Sequence, residues 1–233
     1  MLGEHMTEKI FRNKKGFGSQ KIVFLYALIA SLIVFNIGIF MGYMLESSRI
    51  ENINSMYSET EIKILDQITQ INSMAVLDLG CESLIEENIK FGDKIFSDAR
   101  MIQKYEEANI LSDDIIMQHK RFDLLRSLFW INSIKIKQKC NSDYHNVVYF
   151  YKYNNPSLSE ESEQNAISNL LIELKQKYGD KVMLIPIAGD NDIPSVNLLL
   201  DKYDINEFPV VLIDEKFKIS DAENLDDIEK YFN

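Results

Sequence analysis

The sequence is short of residues that several protein classes require. Only two cysteines occur among 233 residues, which excludes a disulfide-dense small protein and a zinc site of four thiolates. Four prolines and nine glycines are too few for a fibrous or low-complexity chain. The net charge of −11 provides no general basic surface, so we expect no nucleic-acid binding. A hydrophobic content of 46% is typical of a folded protein.

One long apolar run lies near the N-terminus. Residues 22–45 contain no charged side chain, and about 20 apolar residues suffice to cross a bilayer as a helix. The alternative is a cleaved signal peptide, whose apolar region has only about 7–15 residues. The run therefore predicts an uncleaved transmembrane helix that follows a cytoplasmic tail of residues 1–21.

Basic residues flank this run unevenly, and Lys and Arg collect on the cytoplasmic side of membrane helices. Residues 46–62 contain one basic residue, Arg49, beside four glutamates. Five basic residues precede the run: Lys9, Arg12, Lys14, Lys15 and Lys21. We therefore expect the lipid bilayer as a partner and residues 46–233 outside the cytoplasm.

Two glycines of the predicted span, Gly38 and Gly42, form a G-x-x-x-G pair. Such a pair lets the backbones of two transmembrane helices approach closely. A homodimer through these glycines and the following stalk is one hypothesis. The alternative is that glycine is simply common in transmembrane helices.

Residues 46–140 contain no proline and only two glycines, which predicts a stalk of long helices. Near its start, side chains follow a 3–4 alternation that Thr60 and Gln67 make partly polar. The stripe consists of Ile50, Ile53, Tyr57, Thr60, Ile64, Gln67, Ile71 and Met74. One interpretation is a coiled-coil seam. The other is an amphipathic helix packed on its own chain, which the two further predicted helices favour.

The two cysteines are placed symmetrically about a predicted turn between those helices. Cys81 lies 29 residues before Ile110, and Cys140 lies 29 residues after Leu111. Antiparallel helices that meet at this turn would bring the cysteines level, and disulfides persist outside the cytoplasm. We therefore predict a disulfide that closes a helical hairpin. Two free thiols are the alternative, and a redox-active pair is disfavoured because no C-x-x-C at a helix start is present.

The pattern changes from helical to alternating after the second cysteine. Strand-like and helix-like runs follow in the order strand, helix, strand, helix, strand, strand, helix. The strands are predicted at 147–151, 182–187, 209–213 and 217–219, and the helices at 159–178, 194–203 and 225–232. This order predicts an α/β fold in which a right-handed crossover joins the first two strands.

The same order, with Phe208-Pro209 at the start of the third strand, resembles the thioredoxin superfamily over about residues 146–233. The segment Asp201–Ile205 also resembles the family's sequence just upstream of that proline, and the stalk is similar to that of membrane-anchored thioredoxin-like proteins of prokaryotes. The resemblance implies a thioredoxin-like domain over residues 141–233. It also implies a cis peptide bond before Pro209 and a peptide-binding groove beside it.

The chain departs from the family where the redox cysteines would stand. In active members a C-x-x-C begins the first helix of the domain, where the helix dipole stabilises the attacking thiolate. Two alignments place the family's cysteines at Asn155 and Leu158, or at Ser159 and Ser162. Residues 153–162 contain no sulfur in either case. Dithiol exchange requires a thiolate, so we expect no redox catalysis at this degenerate site.

Other catalytic patterns are missing from the sequence as well. The three histidines, His5, His119 and His145, show no metal-ligand spacing, and His119 is expected at an ordinary polar position of the hairpin. We therefore expect no catalytic residue, cofactor or metal. The leading hypothesis is a non-enzymatic, membrane-anchored protein that binds a protein partner outside the cytoplasm. The alternatives are a component of a thiol–disulfide oxidoreductase system and a coiled-coil membrane scaffold.

Overall fold

The structure, a computed structural model, describes residues 17–107 and 113–232. The predicted hairpin turn at Ile110 and Leu111 lies outside the described residues. So do four of the five basic residues that orient the predicted membrane helix.

The first helix, α1, extends from Phe17 to Val76 and contains the apolar run. None of the side chains in its segment Lys21–Leu45 is buried within the protein. By length and composition, this is the one helix of the described residues that could cross a membrane. Contacts divide the chain into two compact units, Met1–Asn52 and Ile53–Asn233.

Two more long helices follow in the second unit, α2 over Cys81–Glu107 and α3 over Asp113–Cys140. Cys81 and Cys140 form the predicted disulfide, with Cα atoms 5.4 Å apart. The two helices approach closely at Gly92, where an added Cβ would lie 2.9 Å from Cζ of Phe129. The first residue of α2 is therefore linked to the last residue of α3, as expected for a closed hairpin.

The C-terminal part of α1 packs on α3 through polar side chains. Thr60 and Gln67 are only 1% and 0% exposed. Gln118 donates to Thr60 through Nε2 at 3.0 Å, and Asn132 donates to Gln67 through Nδ2 at 3.0 Å. The two polar positions of the stripe thus meet polar partners of the same chain. The stripe therefore belongs to an amphipathic helix packed on its own chain, which was the second predicted arrangement, and not to a coiled-coil seam.

Four strands form one mixed sheet in the order β2-β1-β3-β4. Strand β1 is parallel to β2 and antiparallel to β3, and β4 is antiparallel to β3. The strands are β1 His145–Tyr151, β2 Val182–Ala188, β3 Val210–Ile213 and β4 Phe217–Ile219. The predicted α/β class and the predicted parallel pair are therefore confirmed.

Three shorter helices complete the second unit in the predicted element order. They are α4 Leu158–Tyr178, α5 Pro194–Lys202 and α6 Asp226–Glu229. A single 3-10 turn over Gly179–Lys181 separates α4 from β2. The Phe208–Pro209 peptide bond is cis, as the family resemblance implies.

Helices cover both faces of the sheet. On one face Val148 and Phe150 of β1 belong to the same apolar cluster as Leu125 and Phe129 of α3. On the other face Val147 and its neighbours pack against α4 and the C-terminal segment. Because successive strand residues point to opposite faces, a single strand serves both clusters. The disulfide-closed hairpin and the sheet consequently share one apolar core.

The turn between β3 and β4 attaches the sheet to α3. Asp214 and Glu215 adopt the left-handed conformation, with φ of 48° and 59°. Glu215 Oε1 accepts hydrogen bonds from Nε1 of Trp130 at 2.7 Å and from Nδ2 of Asn146 at 3.1 Å. Burial raises the pKa of the Glu215 carboxyl. The buried indole of Trp130 in α3 is therefore hydrogen-bonded to the carboxyl group of Glu215 in the β3–β4 turn.

Candidate functional site

The degenerate site, where the family resemblance would place redox cysteines, lies at the start of α4. The helix begins at Leu158, one residue earlier than predicted, because Ser157 and Glu160 form a reciprocal cap. Ser157 Oγ accepts the N–H of Glu160 at 3.3 Å, and a Glu160 carboxylate oxygen accepts the N–H of Ser157 at 2.6 Å. The bond from this backbone N–H, together with the bond from Lys152, lowers the pKa of Glu160 to about 2.

The four residues that the two alignments place at the cysteine positions are all exposed. Asn155 precedes the helix in the left-handed conformation, with φ of 48°. Leu158, the first helical residue, is 84% exposed. Ser159 and Ser162 lie in the first two turns of α4. Neither alignment therefore places a residue at the capping position, which Ser157 occupies.

The third-strand proline of the family resemblance is buried. Phe208 beside it is half-buried, and its ring closes over Gly189, where an added Cβ would lie 2.1 Å from Cζ. Pro209 thus contributes to internal packing. The groove expected beside Pro209 stays a prediction.

The loop between β1 and α4 is held by an aspartate of the loop that follows β2. Asp190 accepts the N–H of Tyr153 at 2.8 Å and the N–H of Asn154 at 2.7 Å. Asn154 Nδ2 also donates to the Asp190 backbone oxygen at 2.9 Å. A carboxylate of the chain therefore already binds the backbone donors of this loop.

His119 lies in a buried cluster behind the same loop, so its expected placement at an ordinary polar position is wrong. Its side chain is 7% exposed and stacks on Tyr153, with ring centroids 3.8 Å apart. Nε2 lies 3.0 Å from the Tyr151 hydroxyl. Nδ1 lies 3.2 Å from Asp123 Oδ2 and 3.2 Å from Asn191 Nδ2. The helical hairpin thereby contacts the loop that carries the degenerate site.

Asp123 is the centre of this cluster and is 0% exposed. Its Oδ2 accepts Nδ2 of Asn191 at 2.7 Å. Its Oδ1 accepts Nη1 of Arg126 at 3.2 Å and the N–H of Ala188 at 3.3 Å. A buried carboxylate requires such partners, and these join α3 to the end of β2. The spacing of positions 119, 123 and 126 on one helix face was the sequence signal for this cluster.

A cavity of about 660 Å³ lies between α2, α3 and α4, which is within the range of small-molecule pockets, about 300–1,000 Å³. Arg126 of α3 and Lys175 of α4 both line it. Aromatic side chains form much of the remaining wall: Phe96, Phe122, Tyr149, Tyr151 and Tyr153. The sequence patterns did not indicate this cavity, because its walls come from five different elements.

The disulfide differs from the sequence-based description in one respect. Cys81 is the first residue of α2, so its sulfur does lie at a helix N-terminus. Both cysteines are partly exposed. The helix-start position that the sequence-based description associated with a C-x-x-C is therefore present at Cys81.

Comparison with known proteins does not identify a family. The chain matches no family model, and no curated protein matches it. Within the described part of the chain, no three His, Cys, Asp or Glu side chains are grouped as metal ligands. Functional proposals for this chain therefore depend on its own sequence and structure.

Proposed function

We propose that this protein is a membrane-anchored interaction protein whose second unit has a thioredoxin-like fold but no thiol–disulfide activity at the family's site. The apolar segment of α1 anchors the chain in the bilayer, and the second unit binds a protein partner outside the cytoplasm. The strand order β2-β1-β3-β4 and the element order around it support the fold assignment.

One observation carries the proposal: other parts of the same chain pack against the loop at the degenerate site and bind its backbone N–H groups. Tyr153 stacks on His119 of the hairpin, and Asp190 binds two of the loop's N–H groups. No sulfur is present in residues 153–162. A loop that is packed and bound in this way supports a structural role in the domain rather than a role in exchange chemistry.

The experiment is an insulin-reduction assay with dithiothreitol as reductant, performed on the full chain in lipid nanodiscs. We expect the rate to equal that of empty nanodiscs, while an active thioredoxin serves as positive control. Protease added to spheroplasts should remove the second unit. Turnover above the empty-nanodisc rate, or complete protection from protease, would contradict the proposal.

The second candidate function is thiol–disulfide exchange through the hairpin disulfide. The position of Cys81 at the start of α2 and the partial exposure of both cysteines favour it. Comparing Cys81→Ser with Cys140→Ser in the same assay separates the two functions. Turnover by the unmodified chain that Cys81→Ser abolishes would favour the second candidate.

A homodimer through Gly38 and Gly42 is a further part of the proposal. No heavy atom of the described residues outside the local helix lies within 4 Å of a Cβ added at either glycine. This helix face is therefore open to a second copy. Gly38→Ile with Gly42→Ile should abolish crosslinking between tagged copies, whereas Ala27→Ile and Ala30→Ile should not.

A further inference from the structure

We propose that the cavity between α2, α3 and α4 binds a small aromatic monocarboxylate. This goes beyond the proposed interaction function, because it depends on the walls of the cavity and not on the family resemblance or the membrane orientation. The chemistry of the ligand follows from the charge, the unpaired donor and the aromatic surface of those walls.

The described part of the cavity wall contains two cationic side chains. Among the residues that the structure describes, Arg126 and Lys175 line the cavity and no aspartate or glutamate does, although the chain contains 36 acidic residues. Both cations have carboxylate partners that do not line the cavity, and Lys175 Nζ also donates to the backbone oxygens of Gly179 and Val182. Asp123 is 3.2 Å from Arg126 Nη1, and Asp93 is 3.1 Å from Lys175 Nζ. The three donors of Lys175 are therefore taken within the chain, which leaves Arg126 as the cation of the described wall that an anionic ligand could bind.

Arg126 identifies the group that the anion contains. The residue is 6% exposed, and its Nε has no hydrogen-bond partner in the described part of the chain. A guanidinium has five N–H donors in a planar fork that matches a carboxylate. Leaving a buried donor unpaired is unfavourable. A ligand carboxylate at Arg126 would supply the missing acceptor.

The remaining wall identifies the body of the ligand. Aromatic rings from three elements face the cavity, together with Leu184 and Pro186 of β2. The Tyr149 hydroxyl already donates to the Gln164 backbone oxygen at 3.1 Å, so this tyrosine offers its ring. Aromatic rings pack favourably edge to face or offset. A ligand with a planar aromatic body next to its carboxylate would match both the aromatic surface of the cavity and Arg126.

The test measures binding of 2-naphthoate to the full chain in phosphatidylcholine nanodiscs by calorimetry, with empty nanodiscs subtracted. We expect one site per chain. The neutral 2-naphthamide, which has the same shape, should bind at least about tenfold more weakly, because a hydrogen bond to a charged group is stronger than a neutral one. Decanoate should also bind more weakly than 2-naphthoate.

Two variants and one matched control connect the binding to this cavity. Ser168 is half-buried and lines the cavity, whereas its neighbour Asn169 is exposed and does not. Ser168→Phe fills the cavity and should weaken binding by about tenfold or more, and Asn169→Phe should leave it unchanged. Arg126→Gln should abolish the preference for the carboxylate over the amide, provided that its thermal unfolding remains cooperative.

Several results would overturn the proposal. They are no binding of 2-naphthoate at millimolar concentration, equal affinity for naphthoate and naphthamide, tighter binding of decanoate, or equal effects of Ser168→Phe and Asn169→Phe. None of them affects the insulin-reduction or protease experiments, so failure of this proposal is distinguishable from failure of the proposed function.

Discussion

The two parts of helix α1 differ in which side chains they expose. In the segment Lys21–Leu45 large apolar side chains lie in the open, with Phe24 72% and Tyr43 74% exposed. In the later part of the same helix the buried positions include the polar residues Thr60 and Gln67. Backbone geometry is the same in both parts, so the surroundings of each part account for the difference.

The exposed apolar side chains of the first part and the buried polar side chains of the second part are stable for different physical reasons. Exposed apolar surface is unfavourable in water but not in hydrocarbon, so a bilayer around the first part, as proposed, would stabilise it. A buried amide is tolerated when its hydrogen bonds are satisfied, and Asn132 of α3 provides this for Gln67. Polarity alone therefore does not tell which face of a helix is covered.

The largest effect is expected from charges placed in the first part. Ile33→Arg combined with Ile37→Arg puts two cations in the middle of the proposed span. Each costs about 2.5–3.5 kcal/mol on an insertion scale. We expect the variant to be lost from the carbonate-resistant membrane fraction. The matched variant Ile33→Leu with Ile37→Leu should be retained, and retention of the arginine variant would show that α1 is not the anchor.

The next effect concerns the hairpin on which the second part of α1 packs. Cys81→Ser with Cys140→Ser removes a crosslink between residues 59 apart. The chain-entropy model gives a loss of about 4 kcal/mol in the free energy of unfolding. Urea denaturation of the second unit in nanodiscs, monitored by Trp130 fluorescence, measures the loss. Wild type treated with reductant should behave like the variant, and an unchanged midpoint would contradict the stabilising role.

A smaller effect tests the polar contact between α1 and α3. Asn132→Leu leaves the buried amide of Gln67 without its donor at 3.0 Å, which should cost about 1–3 kcal/mol. Replacing both partners, Gln67→Leu with Asn132→Leu, should recover part of this loss because no buried polar group is then left unpaired. Thermal unfolding of the three proteins provides the comparison. A double variant less stable than the single one would refute the explanation.

The smallest effect concerns a half-buried carboxyl group elsewhere in the second unit. Burial raises the pKa of Glu215, so its ionisation disfavours the folded state, and stability falls as pH rises above its unfolded pKa. Glu215→Gln keeps the acceptor for Trp130 and should stabilise the protein at pH 7 by less than about 1 kcal/mol. The gain should shrink as pH is lowered to about 4.

The control for this variant is Glu215→Ala. It removes the acceptor that lies 2.7 Å from Trp130 Nε1 and should therefore destabilise the protein at every pH. A Glu215→Gln variant that is less stable than wild type at pH 7 would show that the charged form is favoured in the folded protein.

Much of the fold was predictable because the relevant signals are local. The apolar run, the strand and helix periodicities and the glycine after α4 each depend on neighbouring residues. The disulfide was predictable from the equal spacing of Cys81 and Cys140 about the hairpin turn. The start of α4 was missed by one residue, Ser159 instead of Leu158, because the cap formed by Ser157 was not predicted.

The candidate site was less predictable than the fold. The spacing of His119 and Asp123 places them on one face of α3, but the sequence does not say what that face contacts. Their partners Tyr153 and Asn191 come from loops after two different strands. The distance between such groups depends on how α3 lies across the sheet, and no local pattern contains this information.

The sequence by itself determined the apolar span, the order of the elements and the absence of sulfur at the degenerate site, because each depends on residues that are adjacent in the chain. Only the tertiary structure decided which polar groups are buried together. Gln67 and Asn132 are 65 residues apart, and Asp123 and Asn191 are 68 apart. A polar side chain is stable inside a protein only with a partner, and folding alone brings these partners within hydrogen-bond distance.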